Sequence, residues 1–181
     1  MKTTLVILGC IVVVLVLIYA YYGGFKRIVV QTAVQGGEFV VYDTIVGDYR
    51  QSGTVMDQIY YALLNDHKVE TFKGYGQYFD NPKTTEKSKL RSEAGCVIEA
   101  KDVEKVKDLN QFKSKYLPDS NAMIAEFPYK GILSVLFSIL KVYPALNKYA
   151  KSKGFNDAGP VIEIYDIPNK KIFYRQEILS N

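Results

Sequence analysis

Two periodicities organise this chain after an apolar opening. From Thr3 to Phe25 there is no charged residue, and Leu5 to Ile18 is almost wholly Leu, Ile and Val. Beyond it, Ile28 to Val34 is a β-branched run broken by Gly36-Gly37, and Glu38 to Val46 reads as the first long strand. From Ser52 to Asn65 the apolar residues Val55, Ile59, Ala62 and Leu63 recur at helical spacing. Phe72 to Asp80 and Leu90 to Ala100 read as two further strands, joined by the polar loop Asn81 to Lys89. The charged stretch Lys101 to Asp108 is expected as a short solvated helix joining two halves. Asn121 to Tyr129 resumes a strand pattern. Gly131 to Lys153 is helical, with Ile132, Val135, Leu136, Ile139 and Leu140 expected to face a core. Pro144 should kink or restart that helix, because it has no amide hydrogen, and Gly154 stands where a C-terminal cap belongs. Val161 to Asp166 and Lys171 to Ile178 close the series.

The order strand, helix, strand, strand thus occurs twice. It predicts an α+β fold: a tandem strand-helix-strand-strand repeat forming one curved antiparallel sheet, with two helices on one face, preceded by a single transmembrane helix. Short motifs support the repeat. Gln77-Tyr78-Phe79-Asp80-Asn81-Pro82 leads to Arg91-Ser92-Glu93, and Glu163-Ile164-Tyr165-Asp166-Ile167-Pro168 leads to Arg175-Gln176-Glu177. The expectation is that Asp80 superposes on Asp166 and Arg91 on Arg175, and that Gln77 faces Glu163 across the seam between the halves. Duplicated halves place functional groups at such seams.

The apolar opening is expected to be an uncleaved anchor over residues 1–25, with residues 26–181 forming one folded domain. About 20 helical residues at ~1.5 Å each cross a bilayer core, and Tyr19, Tyr21 and Tyr22 stand where an aromatic belt belongs. The run exceeds the ~7–15 apolar residues of a signal peptide, and no small-x-small cleavage site follows it. Lys26 and Arg27 on one flank, against Lys2 and the terminal amine on the other, lean towards a cytosolic domain.

The 181-residue chain has a formal charge of +4, with 23 Lys and Arg against 19 Asp and Glu. No basic block interleaves with aromatic residues, so nucleic acid is not an expected partner. Cys10 lies in the span and Cys96 in a strand, so no intrachain disulfide is expected. One His and two distant Cys make no metal set, and Gly74-x-Gly76 precedes a strand and not a helix, so no cofactor is expected.

Strand alternation separates the candidate chemistry into two sets. Ile162 and Ile164 share one face, and Val161, Glu163 and Tyr165 the other. The isoleucines suit the helix-packed core, which would leave Glu163 and Tyr165 on the open face of the sheet, with Tyr75, Gln77 and Phe79 joining them from the first half. One carboxylate and one amide among rings have the make-up of a ligand cleft.

In order along the chain, Tyr78-Phe79-Asp80-Asn81-Pro82, Leu90-Arg91-Ser92-Glu93-Ala94-Gly95-Cys96, Phe127-Pro128-Tyr129, Pro144-Ala145-Leu146 and Ile162-Glu163-Ile164-Tyr165 resemble the GyrI-like domains, the gyrase-inhibitor-like, effector-binding small-molecule domains. The resemblance covers roughly residues 28–179 and is nearest to a membrane-anchored branch that includes an endoplasmic-reticulum-phagy receptor. It implies a cleft between the halves. In relatives attached to transcription regulators, an acidic residue there holds cationic aromatic compounds. Glu163 matches that acidic position and Tyr165 follows it. The ligand-binding set expected on this basis is Glu163, Tyr165, Gln77, Phe79, Tyr75 and Tyr129. The sequence stops at Asn181, just after the last expected strand, and no DNA-binding segment is expected, so neither the regulators' nor the phagy receptor's role is carried over.

Three classes of function stay open. A membrane-tethered module that binds or senses a small molecule comes first, because a carboxylate among rings attracts organic cations, with ~0.5–2 kcal/mol for each cation–π contact. A hydrolase using the cleft carboxylate with aromatic partners is the second, since some GyrI-like relatives resemble hydrolases. Against it, Trp is absent, no nucleophile and base are positioned together, and His67 fits a helix end. The third is a membrane-anchored adaptor that holds a protein partner.

Overall fold

Eight antiparallel strands form one sheet in the order β1-β6-β8-β7-β3-β4-β2-β5 in the computed structural model, which describes residues 2–107, 109–155 and 159–179. In chain order these are α1 (Lys2–Tyr21), β1 (Gln31–Gln35), β2 (Phe39–Val46), α2 (Gln51–His67), β3 (Lys73–Tyr78), β4 (Arg91–Ile98), α3 (Val103–Val106), β5 (Lys113–Tyr116), β6 (Ser120–Pro128), α4 (Ile132–Lys153), β7 (Val161–Asp166) and β8 (Lys171–Glu177). The first half is β2, α2, β3, β4 and the second β6, α4, β7, β8, as the sequence pattern predicts. Asp108, the end of the charged linker, lies outside the described residues.

The strand order is symmetric about the β3–β7 pair. Each half contributes four neighbouring strands, and the outermost ones are exchanged in sequence: β5 follows the first half and edges it, whereas the second half is edged by β1 from the N-terminal side. The sequence pattern does not reveal β5, because Lys113-Ser114-Lys115-Tyr116 has no apolar alternation. Lysine on an edge strand is a known guard against pairing with another chain.

Both long helices pack on one face. Ile59 and Leu63 of α2 meet Phe39, Val41, Cys96 and Ile98, while Val142, Leu146 and Ala150 of α4 meet Met123, Ala125, Ile172 and Tyr174. Each fully buried aliphatic or aromatic side chain contributes ~1.5–3 kcal/mol. On the opposite face Val40, Tyr75, Leu117 and Ile164 form a smaller apolar patch. Helix α2 ends at Lys68 in the left-handed conformation, and α4 ends at Gly154 in the same conformation, where glycine carries no Cβ penalty.

Helix α4 departs from expectation in two respects. It runs unbroken through Pro144. It also buries the line Ser134, Ser138, Val142, Leu146 and Ala150, and leaves Ile132, Leu136, Ile139 and Leu140 exposed. Small residues four apart let the helix lie close to the sheet, and the hydroxyls are not stranded: Ser134 Oγ donates to the Gly131 carbonyl and Ser138 Oγ to the Val135 carbonyl.

The Asp and Arg pairs make different contacts in the two halves. Asp80 accepts from the Arg91 backbone amide at 2.7 Å and from both its Nε and Nη2. Asp166 instead caps a turn through Asn169 and pairs with Lys73, and Arg175 is held by Glu38 at 3.1 Å. The halves share their order of elements, while the Asp-x-Pro and Arg-x-Glu residues of each make different local contacts.

Candidate functional site

Helices α2 and α4 splay apart over the middle of the sheet, and the space between them is a cleft of about 1310 Å³. That exceeds the ~300–1,000 Å³ usual for small-molecule sites. Its floor is the β3–β7 pair. Met56 and Tyr60 form one wall, and Val135, Leu136, Ile139 and Tyr143 the other. Phe72, Tyr129 and Ile167 stand at one end, and Phe79, Asp80 and Lys83 at the other.

Glu163 lies on that floor at 1% exposure. Tyr143 Oη donates to its Oε1 at 2.7 Å, and Tyr165 Oη donates to its Oε2. Among the described residues no Lys or Arg forms an ion pair with it. Burial raises its pKa above the ordinary 4.5, while the two phenol hydrogen bonds pull the other way and recover part of the shift. The phenols of Tyr143, Tyr165 and Tyr174 are all pushed upward, first by burial and then by the Glu163 charge, so they remain neutral donors. Ring contacts tie the group together, Tyr129 to Tyr165 at 6.1 Å and Tyr143 to Tyr174 at 6.0 Å, both edge to face. Cys96 also borders the cleft, and burial pushes its thiol up to about 11, far from a reactive thiolate.

The local reason for this geometry is a glycine pair. In the β3–β7 ladder Gly74 lies opposite Tyr165 and Gly76 opposite Glu163. With no side chain at these positions, Tyr165 lies against Gly74 and the Tyr78 ring against Gly76. A Cβ at Gly76 would come within 3.0 Å of Tyr78 Oη, whose ring lies over the glycine. Tyr78 in turn packs edge-on against Tyr49 at 4.9 Å, and Tyr49 Oη donates to the Asp80 carbonyl.

Of the six residues singled out in the sequence, four border the cleft: Glu163, Tyr165, Phe79 and Tyr129. Tyr75 and Gln77 do not. The expected sharing of one open face by Glu163, Tyr165, Tyr75 and Gln77 is corrected by the ladder. Gln77 pairs with Ile162 and Tyr75 with Ile164, and paired residues share a face. Glu163 and Tyr165 therefore point to the helix side, and Tyr75 and Gln77 to the other. There Tyr75 Oη donates to Gln77 Oε1 at 2.7 Å and contacts Glu93 Oε2 at 2.9 Å, and Lys115 joins Glu93 at 2.5 Å while lying over the Tyr42 ring.

Sequence reasoning missed Tyr78 and Tyr143, which border the cleft, and Tyr174, which packs against Tyr143. Tyr143 carried one usable signal. It lies four residues after Ile139 and seven after Leu136, on the same apolar face of α4 that borders the cleft.

No protein-family model matches the chain. Human testis-expressed protein 264 is 26% identical over 172 residues, 88% of this chain. The chain spans about half the length of the curated relatives it matches, 53% of the human protein. Among solved structures, the EcmrR C-terminal domain superposes with a TM-score of 0.57 over 84% of this chain and 99% of that domain, at 11% identity. SAV2435 bound to tetraphenylphosphonium superposes with a TM-score of 0.50 over 84% of this chain and 94% of that one, also at 11% identity. The chain shares the fold of these bacterial domains.

Proposed function

We propose that residues 26–181 are a GyrI-like small-molecule-binding module, tethered by residues 1–25, whose cleft takes a hydrophobic cation or a ligand bearing a hydrogen-bonding group. The observation that carries this reading is Glu163: a carboxylate buried at the floor of a largely apolar cleft, with phenol donors but no cationic partner among the described residues. A buried charge without a counter-ion is costly. An organic cation seated among Tyr129, Tyr143 and Tyr165 would supply the missing charge and meet ring faces as well. The solved structure of SAV2435, with the same fold, holds the lipophilic cation tetraphenylphosphonium. Helix α1 is long and apolar enough to cross a membrane, with no buried residue along its length, which supports the tether. Lys26 and Arg27 beside it favour a cytosolic position for the domain.

The test is titration of tetraphenylphosphonium and a rhodamine-like dye against the chain and its Glu163→Gln variant. Loss of the charged contact should weaken binding by ~1.5–3 kcal/mol, roughly ten- to over a hundredfold. Equal affinity for both proteins would remove Glu163 from the function.

A further inference from the structure

We infer that the exposed apolar rim of the cleft, on the first half of α4, rests in the lipid interface beside α1, so that the cleft opens against the bilayer and takes amphiphiles from it. This inference builds on the reading of α1 as a membrane tether. Its starting point is the apolar face that α4 does not use against the sheet. Ile132 is 72% exposed, Leu136 51% and Leu140 71%, with Leu133 and Ile139 also exposed. Scattered exposed apolar residues are ordinary, but these lie contiguously on three successive turns of one helix, and contiguous patches mark an interaction surface.

The occupant is indicated by what stands next to the patch. The last turn of α1 and the residues just after it dock on α4 and on the residues leading into it. The Tyr19 ring meets Phe137 edge-on at 5.2 Å, Lys130 Nζ donates to the Tyr21 carbonyl at 2.8 Å, and Lys141 Nζ donates to the Gly24 carbonyl. Tyr19 belongs to the aromatic belt of the span, at the depth of the headgroups. At ~1.5 Å per residue, Leu133, Leu136 and Leu140 lie within about 6 Å of Phe137 along the α4 axis, and so close to that depth. Interfacial helices bury their apolar face ~5–10 Å into the headgroup and acyl boundary. The charge pattern agrees with such a position. Between Ile132 and Lys153 the helix carries four lysines and no carboxylate, and Lys26 and Arg27 follow the span, which suits anionic headgroups.

The patch is also continuous with the cleft. Ile132, Leu136, Ile139 and Leu140 all border the cleft as well, so the exposed patch is its α4 rim. An amphiphile leaving the bilayer over this edge would keep its apolar body in contact with Leu and Ile side chains while its polar group approached Glu163.

The chain contains no tryptophan, which allows a direct depth measurement. Full-length Leu133→Trp and Leu140→Trp proteins would be reconstituted in vesicles of phosphatidylcholine and phosphatidylserine, with and without brominated acyl chains. Tyr61→Trp, at an exposed position on α2, is the control. Both α4 substitutions are at exposed positions, so folding should be retained. Brominated lipid should quench the Leu133→Trp and Leu140→Trp emission at least roughly twofold and leave the control unchanged, the difference expected for a ring held within the acyl boundary. Quenching no stronger than in the control, in protein that still floats with the vesicles, overturns the interfacial helix and leaves the tether intact. Protein that does not float overturns the tether and the inference with it. Emission insensitive to bromine but blue-shifting with protein concentration would assign the patch to a second copy of the chain, and would equally overturn the proposal.

Discussion

Gly76 lies directly opposite Glu163 across the β3–β7 pair, and the Tyr78 ring takes the space that a side chain at 76 would fill. Were a side chain to stand at 76, it would press on the Tyr78 ring, 3.0–3.2 Å from the glycine's missing Cβ. The glycine thus leaves room for the Tyr78 ring beside the buried carboxylate, so an aromatic face and a carboxylate adjoin on the floor of the cleft.

Burial holds the pKa of Glu163 above 4.5 in the folded protein. Between 4.5 and that raised value the folded state keeps a proton that the unfolded chain has released, so this group's contribution to stability falls as pH rises through the window. Glu163→Gln should therefore gain stability relative to the parent as pH rises above 4.5, and the difference should fade on acidification. Binding of an organic cation favours the ionised form, so wild-type affinity should rise with pH across the same window and the variant's should stay flat. Urea unfolding and tetraphenylphosphonium titrations at several pH values check both slopes. A parent affinity independent of pH would mean that the cation does not meet Glu163.

Tyr143 and Tyr165 supply the donors that make an ionised Glu163 tolerable. Tyr143→Phe keeps the ring and removes one donor, leaving a buried carboxylate less satisfied, and should cost about 1–3 kcal/mol at pH 8. In a Glu163→Gln background the same change should cost about half as much or less, because a neutral amide needs the phenol less. A double-mutant cycle by urea unfolding measures the coupling, and additive effects would show that the 2.7 Å contact contributes little.

Gly95 supports the sheet on the face away from the cleft. A Cβ there would stand 2.0 Å from the Val41 carbonyl oxygen and 2.7 Å from the Tyr42 Cα, both backbone atoms of the paired strand. No side-chain rotation relieves such a contact. Gly95→Ala should destabilise by at least about 2–3 kcal/mol, read as a lowered urea midpoint. Tetraphenylphosphonium affinity of the protein that remains folded should hardly change, since the cleft lies across the sheet.

By itself the sequence determined the order of the elements other than the edge strand β5. The uncharged run that becomes α1, the two helix periods and the long strands are local signals, set by side-chain spacing along a single segment. Gly154 as a helix terminus and Val161–Asp166 as a strand are legible for the same reason. Alternation also put Glu163 and Tyr165 together and apart from Ile162 and Ile164. It could not say which set meets the helices, because both faces of this sheet are partly apolar: Ile164 finds Val40, Tyr75 and Leu117 on the far side. The β3–β7 register decided that question, and with it the separation of Gln77 from Glu163. Helix α4 shows the same limit. Hydrophobicity alone ranks Ile132, Leu136 and Leu140 above Ser134 and Ser138 as core residues, yet close approach to the sheet favours the small ones once their hydroxyls find partners. Such choices depend on what the opposite surface presents, and that surface exists only after the halves have packed.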